Sequence, residues 1–82
     1  MDIVFERYEE NSDVPRKEID FILNFEGAIP SKESIKDEIS LCYGSSNELI
    51  ALDKLRTVKG KKKAAGKARI YSDAQIMKRF ER

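Results

Sequence analysis

Histidine and tryptophan are absent from this 82-residue sequence, and cysteine occurs once, at Cys42. Without histidine the chain lacks the commonest general base and the commonest transition-metal ligand. A single cysteine excludes an internal disulfide and any multi-cysteine zinc or iron–sulfur site, and it suits a reducing cytosol. No apolar run approaches the ~20 residues of a membrane-spanning helix. The start, Met1-Asp2-Ile3-Val4-Phe5-Glu6, lacks the basic, apolar and small-residue order of an export signal. Also missing are a G-x-x-x-x-G-K-[ST] phosphate loop, a nucleophile with a base, and the spacing of a calcium loop. The expectation is a cytoplasmic protein with no histidine- or multi-cysteine-based site, no metal centre and no membrane contact.

What is present is charge and a modest supply of apolar residues, 38% and 40% of the chain. A chain this short builds one domain around one small core and has little room for a deep active site. The net charge of +1 conceals a polarised distribution. Residues 1–53 hold thirteen acidic and five basic side chains, while residues 54–82 hold two acidic and eleven basic. From position 54 to 69 there are eight lysines or arginines and no carboxylate. That density is what a phosphate-facing surface requires, although a solvated charged face is the plainer explanation of any single basic run.

Along the chain, residues 2–10 place Ile3, Val4, Phe5 and Tyr8 among charges and end at a turn before Pro15, which predicts a strand at or near a sheet edge. Residues 16–26 alternate with period two. Ile19, Phe21, Leu23 and Phe25 share one side, so a one-residue slip would expose all four and the register is strongly set. Ser31 suits an N-cap, Ile35, Ile39 and Cys42 form an apolar helical stripe, and Gly44 is placed to end the helix in a left-handed turn. Cys42 is therefore expected to face the core.

The run Leu49-Ile50-Ala51-Leu52 predicts a strand covered on both faces, continuing through Asp53 to Val58, turning at residues 60–63 and returning over residues 64–71. Ser72 with Gln75 reads as a capping box, and Ile76 with Phe80 gives a short final helix one apolar stripe. The expected fold class is α+β: an antiparallel sheet in the order strand, strand, helix, strand, strand, helix, with the helices packed on it. One domain, residues 1–82, is expected to carry a protruding basic hairpin at about 54–71.

Several fragments occur in an order that resembles a known family. Met1-Asp2-Ile3, Arg16-Lys17-Glu18-Ile19, Glu26-Gly27-Ala28-x-Pro30-Ser31, Asp53-Lys54-x-x-Thr57 and Gly66-x-Ala68-x-Ile70-Tyr71 are similar to the archaeal and eukaryotic small-subunit ribosomal protein twenty-four family. Lys59 departs from that pattern, in which an aromatic precedes the glycine. The resemblance implies a structural constituent of the small ribosomal subunit, bound to ribosomal RNA and to neighbouring subunit proteins, with no enzymatic activity and no cofactor. Eukaryotic members end in a basic extension, so a sequence ending at Arg82 resembles the short archaeal form, and any RNA contact made through that tail is not expected.

The candidate RNA-binding residues are Lys54, Arg56, Lys59, Lys61, Lys62, Lys63, Lys67 and Arg69. Arg56 and Arg69 are the candidates for geometrically specific contacts, because a guanidinium fork matches phosphate oxygens, while the lysines supply charge. Gly60 reads as a turn residue, and Gly66 as a bulge or a point of close approach. Tyr71 fits the edge of the core better than a base-stacking role, which it could also take, and Arg16 and Lys17 fit charge partners of Glu18 or Glu9. The acidic half reads as solvated surface, or as a face for a basic neighbour around Glu33 and Asp37. The isolated chain is expected to be a monomer. A small α+β module that binds proteins through a sheet edge or helix face, without RNA, is the competing reading; a small acyl-phosphate or nucleotide-handling enzyme, suggested only by the layout, ranks last.

Overall fold

A computed structural model describes residues 2–81; Met1 and Arg82, the two ends of the expected domain, lie outside the described residues. The chain runs β1 (Asp2–Asn11), β2 (Arg16–Asn24), α1 (Lys32–Tyr43), a 3-10 turn (Asn47–Leu49), β3 (Ile50–Leu52), β4 (Arg56–Thr57), β5 (Lys63–Tyr71) and α2 (Ala74–Phe80). All strand pairs are antiparallel, in the order β1-β2-β5-β3 with β4 also paired to β5. The α+β class and the antiparallel sheet are as the sequence implies. The penultimate strand differs: it is split into β3 and β4 by residues 53–55, and a 3-10 turn precedes it.

The period-two pattern of β2 decides which sheet face is buried. Ile19, Phe21 and Leu23 are all at most 1% exposed, and the register sets them beside Ala68, Gly66 and Ala64 of β5. Ile50 joins them from β3, and Ile35 and Ile39 cover them from α1. Full burial of a side chain the size of Ile or Phe stabilises by roughly 1.5–3 kcal/mol, which is why the alternation holds the register.

In β1 the same alternation would turn Tyr8 outward after Ile3 and Phe5. A register shift between Phe5 and Arg7 corrects this, leaving Glu6 as an extra residue. Tyr8 thereby faces Ile19 and stacks on Tyr43 at 5.8 Å, and Arg7 comes opposite Asp20, whose Oδ2 accepts from its Nε at 2.8 Å.

Ser31 and Gly44 bound α1 as expected: the Ser31 hydroxyl accepts from the Ser34 amide, and Gly44 takes φ 67°. Cys42 is a correction, for it is exposed. The buried stripe runs Ile35, Ile39, Tyr43, one residue beyond the expected position, because the Tyr43 ring has Phe5 to pack against edge-on at 5.1 Å. A second correction concerns α2. Its cap is Asp73, whose carboxylate accepts from the Gln75 and Ile76 amides, whereas the Ser72 hydroxyl donates to the Pro15 carbonyl. Ile76 is half-buried and Phe80 is 49% exposed, so the expected stripe covers little.

The outer face of the sheet is uneven. Glu18, Arg69, Arg16, Tyr71 and Ala51 lie on it by register, and at that end Glu81, just past α2, reaches Arg69 and Tyr71. Tyr71 is 2% exposed and Ala51 8%. This accounts for the run of consecutive apolar residues at β3, which is covered from both sides.

Candidate nucleic-acid interface

The basic hairpin is built on β5. Val58 N donates to the Lys63 carbonyl at 3.0 Å and Lys61 N to the Val58 carbonyl at 3.1 Å, closing a turn in which Gly60 sits at φ 76°. An L-residue is strained there, so glycine serves the turn. The hairpin protrudes less than the sequence suggests. β5 pairs with β2 along its whole length, down to Lys63 opposite Asn24, and Phe25 N donates to the Lys62 carbonyl at 3.1 Å. The small side chains Ala64, Gly66 and Ala68 make β5 an inner strand, so what extends past the sheet is the short tip at residues 58–62.

At that tip Lys59, Lys61 and Lys62 are exposed, and Lys63 is exposed beside them at the start of β5. The last three also line a shallow depression with Asp2, Asn24, Phe25 and Glu26. Lys54 and Arg56 are exposed on the outgoing arm and Lys67 on the outer face of β5. Among the described residues every ion pair uses an arginine, Arg7, Arg16 or Arg69, and none uses a lysine. The lysines are thus left facing solvent, while long guanidinium side chains are spent on holding the sheet and its cover together.

Arg69 stands apart from the other candidates. Its Nη1 and Nη2 donate to the Asp53 carboxylate at 3.0 and 2.7 Å, Nη2 donates again to Glu81 at 3.0 Å, and Nε donates to the second Glu81 oxygen. The Tyr71 hydroxyl donates to Glu81 and accepts from Arg16 Nη1 at 2.9 Å, and Arg16 Nε donates to Glu18 at 2.9 Å. Arg69 therefore joins β5, the β3–β4 break and the end of α2, and has little left to offer a phosphate. Hydrogen bonds donated to Asp53, then to Glu81, raise its pKa against the opposing effect of burial. The same bonds hold the Asp53 and Glu81 carboxyls below their ordinary values, Asp53 being helped also by the charges of Lys67 and Lys32. Burial, then the bond to Glu81, pushes the Tyr71 phenol up.

Lys32 was not visible as part of this region in the sequence, since it lies in the first turn of α1, far from the hairpin in order. Its charge helps to lower the Asp53 pKa, so it lies within electrostatic reach of that carboxylate. No sequence signal marks it, because its place depends on how α1 crosses the sheet.

The network predicts a pH dependence. Carboxylates with depressed folded pKa values add stability above the unfolded values near ~4, and that stability is lost as pH falls through the folded values. Stability should be level above about pH 5 and fall below it. Arg69→Gln should cost about 1–3 kcal/mol at neutral pH, since it leaves Asp53 without its donor and Glu81 with the Tyr71 hydroxyl alone, and should flatten the acid fall. Urea unfolding from pH 3 to 7 checks this; a variant as stable as the parent with the same acid profile refutes the clamp.

The chain matches known proteins over its whole length. The family profile described as ribosomal protein S24e covers residues 1–82. The small ribosomal subunit protein eS24 of Methanosarcina mazei is 31% identical over 81 residues, 99% of this chain and 80% of the relative. That of Methanosarcina barkeri is 32% identical over 81 residues, again 99% and 80%. The Thermoplasma acidophilum protein of the same name is 34% identical over 74 residues, 89% of this chain and 76% of the relative. With a family profile matched from end to end and relatives above 30% identity, the chain belongs to the ribosomal protein S24e family, a family of structural, non-enzymatic ribosomal components.

Proposed function

We propose that the chain is a structural constituent of the small ribosomal subunit in the cytoplasm, and that it holds ribosomal RNA through its lysine-rich hairpin. The small-subunit role rests on family membership and on relatives named for that subunit. One observation carries the RNA-binding surface: Lys59, Lys61, Lys62 and Lys63 cluster at an exposed turn and take no part in the ion pairs of the described residues. Ammonium groups left unneutralised in that way displace the cations condensed on phosphates, a large source of affinity for nucleic acid. Lys54, Arg56 and Lys67 extend the surface along the hairpin, whereas Arg69 supports it from within.

The test is binding of the purified chain to small-subunit ribosomal RNA over a salt series, with sedimentation of the chain alongside subunits. Affinity should fall steeply and log-linearly with salt, and the chain should travel with the subunit. A chain that stays at the top of the gradient and ignores the RNA at low ionic strength would overturn the reading.

A further inference from the structure

Among the described residues no helix lies over the outer sheet face near the hairpin, unlike the end closed by Glu81. By register, Val4, Ile22 and Ala65 form a row across β1, β2 and β5, with Arg56 next to Ala65 on β4. The adjacent row is Arg7, Asp20 and Lys67. Val4 is 53% exposed, and Ile22 and Ala65 are half-buried. A cleft of about 700 Å³ opens here, its lining drawn from the carboxylates Glu6, Asp20 and Asp53, from Ala65, and from the cations Lys54, Arg56 and Lys67. It owes its existence to two irregularities already described, the Glu6 bulge and the interruption between β3 and β4.

Resting on the RNA-binding reading, we propose that this cleft seats one unpaired nucleotide of the bound RNA, with guanine the preferred base. Its size is within the range of small-molecule sites, and its chemistry is divided as a nucleotide is. Ala65, with Ile22 beside it by register, offers a surface for a base, and Lys54, Arg56 and Lys67 stand where a phosphate needs neutralising. The carboxylates supply the selection. Asp20 Oδ2 is held by Arg7, but Oδ1 is the one buried side-chain polar atom among the described residues with no hydrogen-bond partner.

An ionised carboxylate only accepts, so the group that satisfies it must donate. Guanine presents two adjacent donors, N1–H and N2–H, whereas uracil presents one donor flanked by two acceptor oxygens that carboxylates repel. The exposed side chains of Lys54, Arg56 and Lys67 are long and flexible enough to shift and admit a base. Single-stranded RNA is commonly read in this way, through bases splayed out of the stack.

The experiment compares two ribonucleotide nonamers, one all uridine and one with a single central guanosine, titrated into the full chain at low salt. The guanosine nonamer should bind about tenfold more tightly. Asp20→Asn should abolish that preference while raising affinity for the uridine nonamer, because a negative charge is removed near the phosphates. Ala65→Leu, which fills the cleft without altering charge, should abolish the preference as well; thermal unfolding confirms that both variants fold. Equal affinity of the parent chain for the two nonamers overturns the pocket and leaves RNA binding standing. A preference that survives both substitutions also overturns it. Failure of either nonamer to bind at all counts against the RNA-binding reading itself.

Discussion

Gly66→Ala is expected to destabilise the domain by about 1–3 kcal/mol through overpacking, although alanine is the mildest replacement available. A Cβ at this position would come within 2.7 Å of Phe21 Cε2 and 2.8 Å of Leu55 Cδ2, and closer still to Phe21 Cζ. The φ of Gly66 is not in the left-handed region, so the demand for glycine comes from space and not from backbone conformation. Leu55 is only partly buried. Phe21 is 1% exposed, with the Phe5 ring edge-on at 6.5 Å. Each kcal/mol should lower Tm by about 4–8 °C in a domain of this size. Phe21→Leu, which shortens the obstructing ring, should cost stability alone yet relieve part of the Gly66→Ala penalty. The double variant should therefore be more stable than the sum of the single effects implies, by about 0.5–3 kcal/mol. Additive losses in chemical denaturation would show that the two positions do not press on each other.

The same position shows what was legible in the sequence. A glycine inside a strand pattern signals a bulge or a close approach, and the sequence does not say which. The approach turns out to be internal, of Phe21 and Leu55, and the bulge lies elsewhere, at Glu6. The β2 alternation, the Ser31 cap and the Gly44 stop were readable because each is a local signal, decided within a turn or a pair of pleats. The interruption at residues 53–55 was not. It depends on Leu55 packing inward beside Gly66 and on Asp53 meeting Arg69, sixteen positions away. Nor is the Arg69 clamp legible, for the same reason: a basic residue in a basic run looks alike whether it faces solvent or holds a carboxylate. Glu81, its second partner, comes from the far end of the chain and from another element. Cys42 failed by one helical position, since the sequence carries no mark of the Phe5 ring that draws Tyr43 into the stripe.

Replacing Lys61, Lys62 and Lys63 together by alanine should reduce the slope of log affinity against log salt by about 2–3 if all three meet phosphates, each contact being worth about 0.7–0.9. Stability should change little, because none of the three is buried or ion-paired among the described residues. The turn survives the change, since its hydrogen bonds run through the backbone of Val58, Lys61 and Lys63 and its positive φ belongs to Gly60. Arg69→Gln supplies the opposite pattern. It should lower stability and leave the salt slope near that of the parent, measured where both remain folded, because its donors are already committed to Asp53 and Glu81. The pair separates charge that faces outward from charge that braces the fold. An unchanged slope in the lysine variant would move the RNA contact off the hairpin tip, and a large slope change in Arg69→Gln would mean that RNA displaces the two carboxylates from the guanidinium.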